Sequence, residues 1–548
     1  MATKTKKRAK RRSSNRKFKR SKNRFIGKPS GKIQQRVQEI GPEHFGVISV
    51  DCAKRRSKWM LTDFYGRVIV EPTTVEHNSG GLKAMTDLAR AVCDEHDLRD
   101  SIVAVEMTGI YHRPPQRAFR KAGFDTRVVH PFASSHYRKP LHPDIKTDDH
   151  DLEGIFHAAI NGYGLASLDV PQVYLELQTA SRFRHNLVKQ RARLQIQIRR
   201  LMHMTMPGYA DLFVDDRLFN KSIAIAVAER FPSAAAIDSA DVDSIAKQLK
   251  QDKIRFQRRT IEKIVAWSAG AAPASTLASM QTQHWKQLNK FRLMLSQQVL
   301  AVERELASFL VKTPYILLLS VTGINIVSAA RLAGEAGPIK HYATARAING
   351  RAGLYPSRYQ SDEVDHADGS LVRQANRKLR GAAMLIAENL IKCHPYYRGL
   401  SAVWAQQKVD PRDRRCRVAN RAMRMVFQIV SGRQLWRGKG VDREYLLFKL
   451  REFHRVHKSP LEACVCDLQE AFKWIPKSAY ASEAKPLIPL TKKRRRGLVS
   501  IGELLIPLLI KLGAMDTDGN ELNSSSTKTG EASGNRINLT TSEARNSD

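Results

Sequence analysis

The sequence predicts an α/β domain followed by an all-α remainder, and three observations carry that expectation. Between residues 45 and 130, short apolar runs that end in acids alternate with stretches of helical spacing. Two longer stretches, 175–201 and 285–309, repeat apolar residues every three or four positions. From Pro314 to Leu390 apolar helical segments are separated by short turns.

Residues 1–38 hold sixteen Lys or Arg and no acid. Such a block repels itself and is expected to stay disordered until it meets phosphate. Order is expected from near Phe45. Gly46–Asp51 reads as a buried strand ending in an acid, 58–63 and 67–71 as the next two strands with a turn at Tyr65-Gly66, and 82–93 as a helix. Ser101–Glu106 is a second apolar strand ending in an acid, followed by a helix over 115–122 and a strand over 126–129. This order suits a sheet with helices on its faces.

Ala180, Phe183, Leu187, Leu194, Ile198 and Leu201 form one apolar stripe, and Trp285, Leu288, Leu295, Val299, Val302, Leu306 and Phe309 another. Together they suit an antiparallel helical hairpin or coiled coil, with a helical insertion between them. Ser320–Asn325 reads as a turn before a helix over 326–336; such a turn can offer backbone N–H groups to a phosphate. An Arg-rich helix is expected over 405–436, a basic cluster stands at Lys492–Arg496, and the chain beyond Asp516 is polar. The expected organisation is a basic tail (1–43), an α/β domain (44–165), a coiled-coil hairpin with its insertion (166–312), a helical domain (313–440), a helical extension (441–515) and a polar tail (516–548).

The formal net charge of +39 favours a polyanionic partner, nucleic acid above all. Six cysteines, four scattered and two in a lone C-x-C, do not form a zinc knuckle and suit a reducing, cytoplasmic interior. There is no apolar run of about 18 residues, so no membrane span is expected.

Asp51 and Glu106 each close an apolar strand, where catalytic groups of α/β sheets collect. Asp148 and Asp151 are three residues apart at the start of a helix, so they share a face and meet the favourable end of the helix dipole. Taken singly, each Asp also suits a turn or a helix cap. Glu106, after four apolar strand residues, is harder to explain as solvated. Phosphodiester cleavage uses hard cations about 4 Å apart, held by carboxylates, and these four acids from three elements could supply that clamp.

Ile48-Ser-Val-Asp51 with Lys54, Val105–Arg113, and Lys146-Thr-Asp148-x-x-Asp151 together resemble the RuvC-like, RNase H-like domain of the DEDD transposases of the insertion-sequence 110 family. Ser320–Asn325, Ala352–Ser361 and Asn376–Arg380 are similar, in the same order, to that family's later motifs. The resemblance implies that Asp51, Glu106, Asp148 and Asp151 hold Mg²⁺, and that Ser361 attacks DNA to form a transient phosphoserine link. It implies a helical serine transposase domain, homodimers pairing into tetramers, acids of one subunit working with the serine of another, and, in some members, specificity taken from a structured guide RNA. The departures are Asp362 where the family often has glycine, and a Ser320–Asn325 turn that lacks the family's proline and second glycine.

A serine hydroxyl is a weak nucleophile and needs a base or metal to activate it. Arg358, Arg373, Arg377 and Arg380 are the candidates to grip the phosphate. The expectation is a DNA recombinase, nucleoid-associated. A RuvC-like nuclease that hydrolyses without serine chemistry is the alternative enzyme, and a non-catalytic nucleic-acid-binding protein the alternative outside enzymes.

Overall fold

The computed structural model describes residues 33–143, 145–166, 170–213, 217–220, 222–361, 364–366, 369–373, 375–436 and 443–475. The basic block before Ile33, Asp362 and Glu363, the Lys492–Arg496 cluster and the polar C-terminal tail therefore lie outside the described residues. The chain divides into two compact units, Met1–Asp169 and Val170–Asp548. Among the described residues no helix is long and apolar enough to cross a membrane.

The first unit is built on one sheet: β1 (Phe45–Cys52), β2 (Arg56–Asp63), β3 (Val68–Glu76), β4 (Asp100–Glu106), β5 (Asp125–Val129) and the short β6 (Leu165–Ala166), in the order β3-β2-β1-β4-β5-β6. β1, β4 and β5 are parallel neighbours, whereas β2, β3 and β6 run antiparallel to theirs. The central strands are covered on both faces, so they read as continuous apolar runs rather than alternating ones. One face carries α2 (Ser79–Glu95) and α3 (Arg113–Lys121), packed on Ile48, Val50, Val103 and Val105. The other carries α1 (Ile33–Ile40), α4 (Pro131–Leu141) and α5 (Asp148–Ile160), packed on Phe45, Val47, Ile102 and Ala104. This is an RNase H-like α/β fold.

Helix α1 falls inside the stretch expected to be disordered. Ile33 and Val37 are buried, and Arg36 binds Asp100 at 2.6 Å and Asp125 at 2.5 Å. Two apolar contacts and a double ion pair hold the end of a basic segment whose charge alone argues for solvation.

In the second unit, α6 (Gln172–Thr205) and α12 (Ala278–Leu310) are the two long helices. They run antiparallel: Tyr174 and Leu177 share a core with Leu306 and Leu310, and Ile198 and Met202 share another with Trp285. Leu187, Val299 and Val302 fill the middle. Phe183, expected in the apolar stripe, is instead 52% exposed.

Between the long helices lie α7 (Arg217–Asn220), α8 (Ser222–Arg230), α9 (Ala234–Asp238), α10 (Val242–Gln251) and α11 (Arg258–Ser268), whose Val227, Ile245 and Ile261 join Tyr209 in the core shared with Ile198, Met202 and Trp285. After α12 come α13 (Ile326–Ala336), α14 (Ala345–Ala352), the hairpin β7 (Tyr359–Ser361) and β8 (Val364–His366), and the helices α15 (Arg377–Cys393), α16 (Pro395–Gln406), α17 (Pro411–Ser431), α18 (Arg443–Val456) and α19 (Leu461–Phe472). Two buried carboxylates fix this bundle: Glu335 of α13 binds Arg182 of α6 through two contacts of 2.8 Å, and Glu303 of α12 is met by His457 at 2.6 Å and by Arg184.

Candidate metal centre and serine hairpin

Asp51 and Glu106 are brought together by the sheet. Val50 of β1 lies opposite Val105 of the parallel strand β4, so the two acids are adjacent at the C-terminal ends of neighbouring strands. Strand alternation turns them to the face that carries α5, since Phe45 and Val47 on β1, and Ile102 and Ala104 on β4, pack there. Helix α5 begins at the same edge. Thr147 caps it, its side chain accepting from His150 N at 3.3 Å, and Asp148, Asp149 and Asp151 occupy its first turn.

Three of the predicted acids act on the fourth, Asp51. Burial first, and then the charges of Glu106, Asp151 and Asp148, together raise the Asp51 carboxyl to about 6. A carboxylate raised by burial and by three acids at once marks a concentration of negative charge suited to a divalent cation. Asp149 stands apart from this set, because Lys58 of β2, opposite Asp51 in the register, binds its carboxylate at 2.5 Å.

Helix α4 supplies partners that spacing did not single out. Ser134, buried, donates to the Glu106 carboxylate and also to Pro131 O. Arg138, one turn on, lies 2.8 Å from Asp151 Oδ1, while Lys146 is 3.8 Å from Oδ2. The α4–α5 approach depends on Gly154: a Cβ there would stand 2.6 Å from the Ser134 carbonyl oxygen and 3.0 Å from Arg138 Cβ. The readable signal for α4 was Pro131 in its first turn after His130, whose ring accepts from Phe132 N at 3.1 Å.

Ser361 belongs to the second unit. It closes β7 and pairs with Val364 of β8. The ribbon continues back through the Pro356–Leu371 bridge and the bonds between Ser357 and Ser370. Ser357 donates its hydroxyl to Ser370 O at 2.9 Å, a role within the ribbon.

Of the four candidate arginines, Arg358, Arg373 and Arg377 are exposed. Arg380 is half-buried and donates to the carbonyls of Ala352 and Val372, so its guanidinium ties α15 to the ribbon's base. In the Ser320–Asn325 turn, Lys449 gathers the carbonyls of Leu319, Val321 and Ile324 at 2.7, 2.8 and 3.1 Å, and Asn325 N donates to Ser328 Oγ at 3.1 Å. The turn therefore offers three carbonyls to an ammonium, while its Ile324 N–H donates to Val321 O at 3.2 Å.

No curated protein matches the chain. A family model for DEDD transposases of the IS110 type, described as a transposase, matches residues 48–207. A second, described as transposase of the IS116/IS110/IS902 family, matches residues 315–401. With the acid-bearing sheet under the first match and the serine ribbon under the second, the two matches together support an IS110-family transposase, an enzyme that acts on DNA.

Proposed function

We propose that the protein cuts and rejoins DNA strands by transesterification, with Asp51, Glu106, Asp148 and Asp151 holding Mg²⁺ and Ser361 as the nucleophile. The observation that carries this reading is the Asp51 carboxyl, raised to about 6 by burial and then by the charges of Glu106, Asp151 and Asp148. Such a set is all oxygen, which suits a hard cation and not a thiolate- or imidazole-seeking one. Mg²⁺ bound there supplies charge neutralisation at the phosphate and lowers the cost of an anionic attacking oxygen.

The chain's own groups do the rest. Ser134 orients the Glu106 carboxylate, and Arg138 holds Asp151 Oδ1, leaving Oδ2, with Lys146 3.8 Å away, to ligate. The Ser361 hydroxyl loses its proton as its oxygen bonds to phosphorus. The phosphorus–oxygen bond to the leaving deoxyribose breaks, and that oxygen takes up a proton. A hydroxyl of the new partner strand then attacks the phosphoserine and restores the serine. The phosphodiester energy is conserved in the ester, so no outside energy source is needed. Acids of one subunit serve the serine of another, in a dimer that pairs to a tetramer. The charge of +39 supports a structured RNA as an additional polyanionic partner; RNA that co-purifies in stoichiometric amount tests that part.

The main test is trapping on a nicked substrate followed by denaturing electrophoresis. The wild type is expected to give a protein–DNA adduct that Ser361→Ala does not form. An adduct surviving in that variant refutes the serine assignment, and Mg²⁺-dependent cutting with no adduct in the wild type favours a water-using nuclease.

A further inference from the structure

We propose a second metal site, made of His142, His150 and Glu153, that takes a transition ion of the Zn²⁺ class and clips the end of α4 to the first turn of α5. One ligand atom from each of the three residues lies within 4.8 Å of the others. His142 follows the last residue of α4, and its Nε2 is 2.8 Å from Glu153 Oε2. His150 and Glu153 are three residues apart on α5, hence on one stripe of the helix. The His142 and His150 rings stack with centroids 3.6 Å apart and planes 12° apart.

A further observation points to a ligand. His150 Nδ1 is buried without a hydrogen-bond partner. A buried ring nitrogen left unpaired costs free energy, and an ion meets that need where no protein group does. Two imidazoles and one carboxylate, with a fourth position open to water, form a donor set for borderline transition ions. It contrasts with the four carboxylates nearby, which form a hard-cation set. Loading the site replaces the His142–Glu153 contact, and one ring turns out of the stack, because parallel planes this far apart cannot both contain the ion. Glu153 also lines a cleft of about 360 Å³ with Thr62, Tyr65, Glu71 and Asp149, which gives an ion a path from solvent.

The two sites occupy different stripes of α5. Asp151 meets Arg138 on one side of the α4 contact, and His150 meets His142 on another. A metal on the histidines therefore ties down the turn that carries Asp148 and Asp151 without sharing their oxygens.

The probe is Co²⁺, added to the full-length, untagged protein in excess Mg²⁺ and followed by its visible absorption and by equilibrium dialysis. The wild type is expected to bind one equivalent with the spectrum of a nitrogen-ligated, low-coordinate ion. Loss of a direct ligand in His142→Ala or Glu153→Gln is expected to weaken binding by more than the roughly 10- to 100-fold typical of losing an outer partner. Asp51→Asn is expected to leave it unchanged, so failure of the Mg²⁺ assignment and failure of this one are separable. Circular dichroism of Glu153→Gln, a near-isosteric change, separates ligand loss from unfolding. Displacement of Co²⁺ by Mg²⁺, retention of the spectrum in both ligand variants while each stays folded, or its loss in Asp51→Asn would overturn the proposal.

Discussion

At the scale of single residues, Asp51 carries the account. Its carboxyl is raised from 3.8 to about 6, first by burial and then by Glu106, Asp151 and Asp148. Between those two pH values the folded protein binds more protons than the unfolded chain, so this group's contribution to stability falls as pH rises through that window. Asp51→Asn removes the penalty. After allowance for partial solvent exposure, it is expected to stabilise the metal-free protein by about 1–2 kcal/mol at pH 7 and by nothing below pH 4; denaturant unfolding at the two pH values checks this. The same substitution is expected to abolish strand cleavage while leaving DNA binding intact. In the wild type, Mg²⁺ affinity is expected to fall as pH drops below about 6, where the proton competes with the ion.

At the scale of elements, the candidate site joins the ends of β1 and β4 to the first turn of α5, with α4 packed against α5. Asp51 and Glu106 were legible in the sequence because an acid closing an apolar strand stands out against its neighbours, and the acidic pair because its spacing matches a helix turn. Ser134, Arg138 and Lys58 were not legible. Their roles come from contacts between elements distant in the chain, and a serine or arginine in a helix is commonplace. Gly154 was equally silent, since only the packed pair shows that the Ser134 carbonyl oxygen would stand 2.6 Å from an added Cβ. Gly154→Ala is therefore expected to push α4 off α5, at a cost of about 1–3 kcal/mol, and to reduce cleavage at least tenfold though it alters no charged group. Thermal unfolding and a cleavage assay on the same sample check both effects. Normal activity in a folded Gly154→Ala protein would show that α4 does not position the acids.

At the scale of the whole molecule, the acids lie in one unit and the serine in the other, and the family matches fall on both. The α/β and helical parts were legible from periodicity, because buried parallel strands and long amphipathic helices leave strong repeating patterns. The α1 helix was not, since sixteen basic residues mask two buried apolar ones. The proposal that acids and serine act from different subunits predicts complementation. A mixture of Asp151→Asn and Ser361→Ala proteins is expected to recover a fraction of wild-type strand exchange, although each alone is inactive. Absence of recovery from a mixture shown to contain mixed dimers would restrict catalysis to one chain.

The most direct measurement is Mn²⁺ binding followed by electron paramagnetic resonance, with Mg²⁺ as competitor, in the wild type, Asp51→Asn and Glu106→Gln. Asp51, Glu106, Asp148 and Asp151 as one hard-cation centre predict Mn²⁺ binding that Mg²⁺ displaces in the wild type and that either substitution removes. Unchanged, Mg²⁺-displaceable binding in both variants would contradict it.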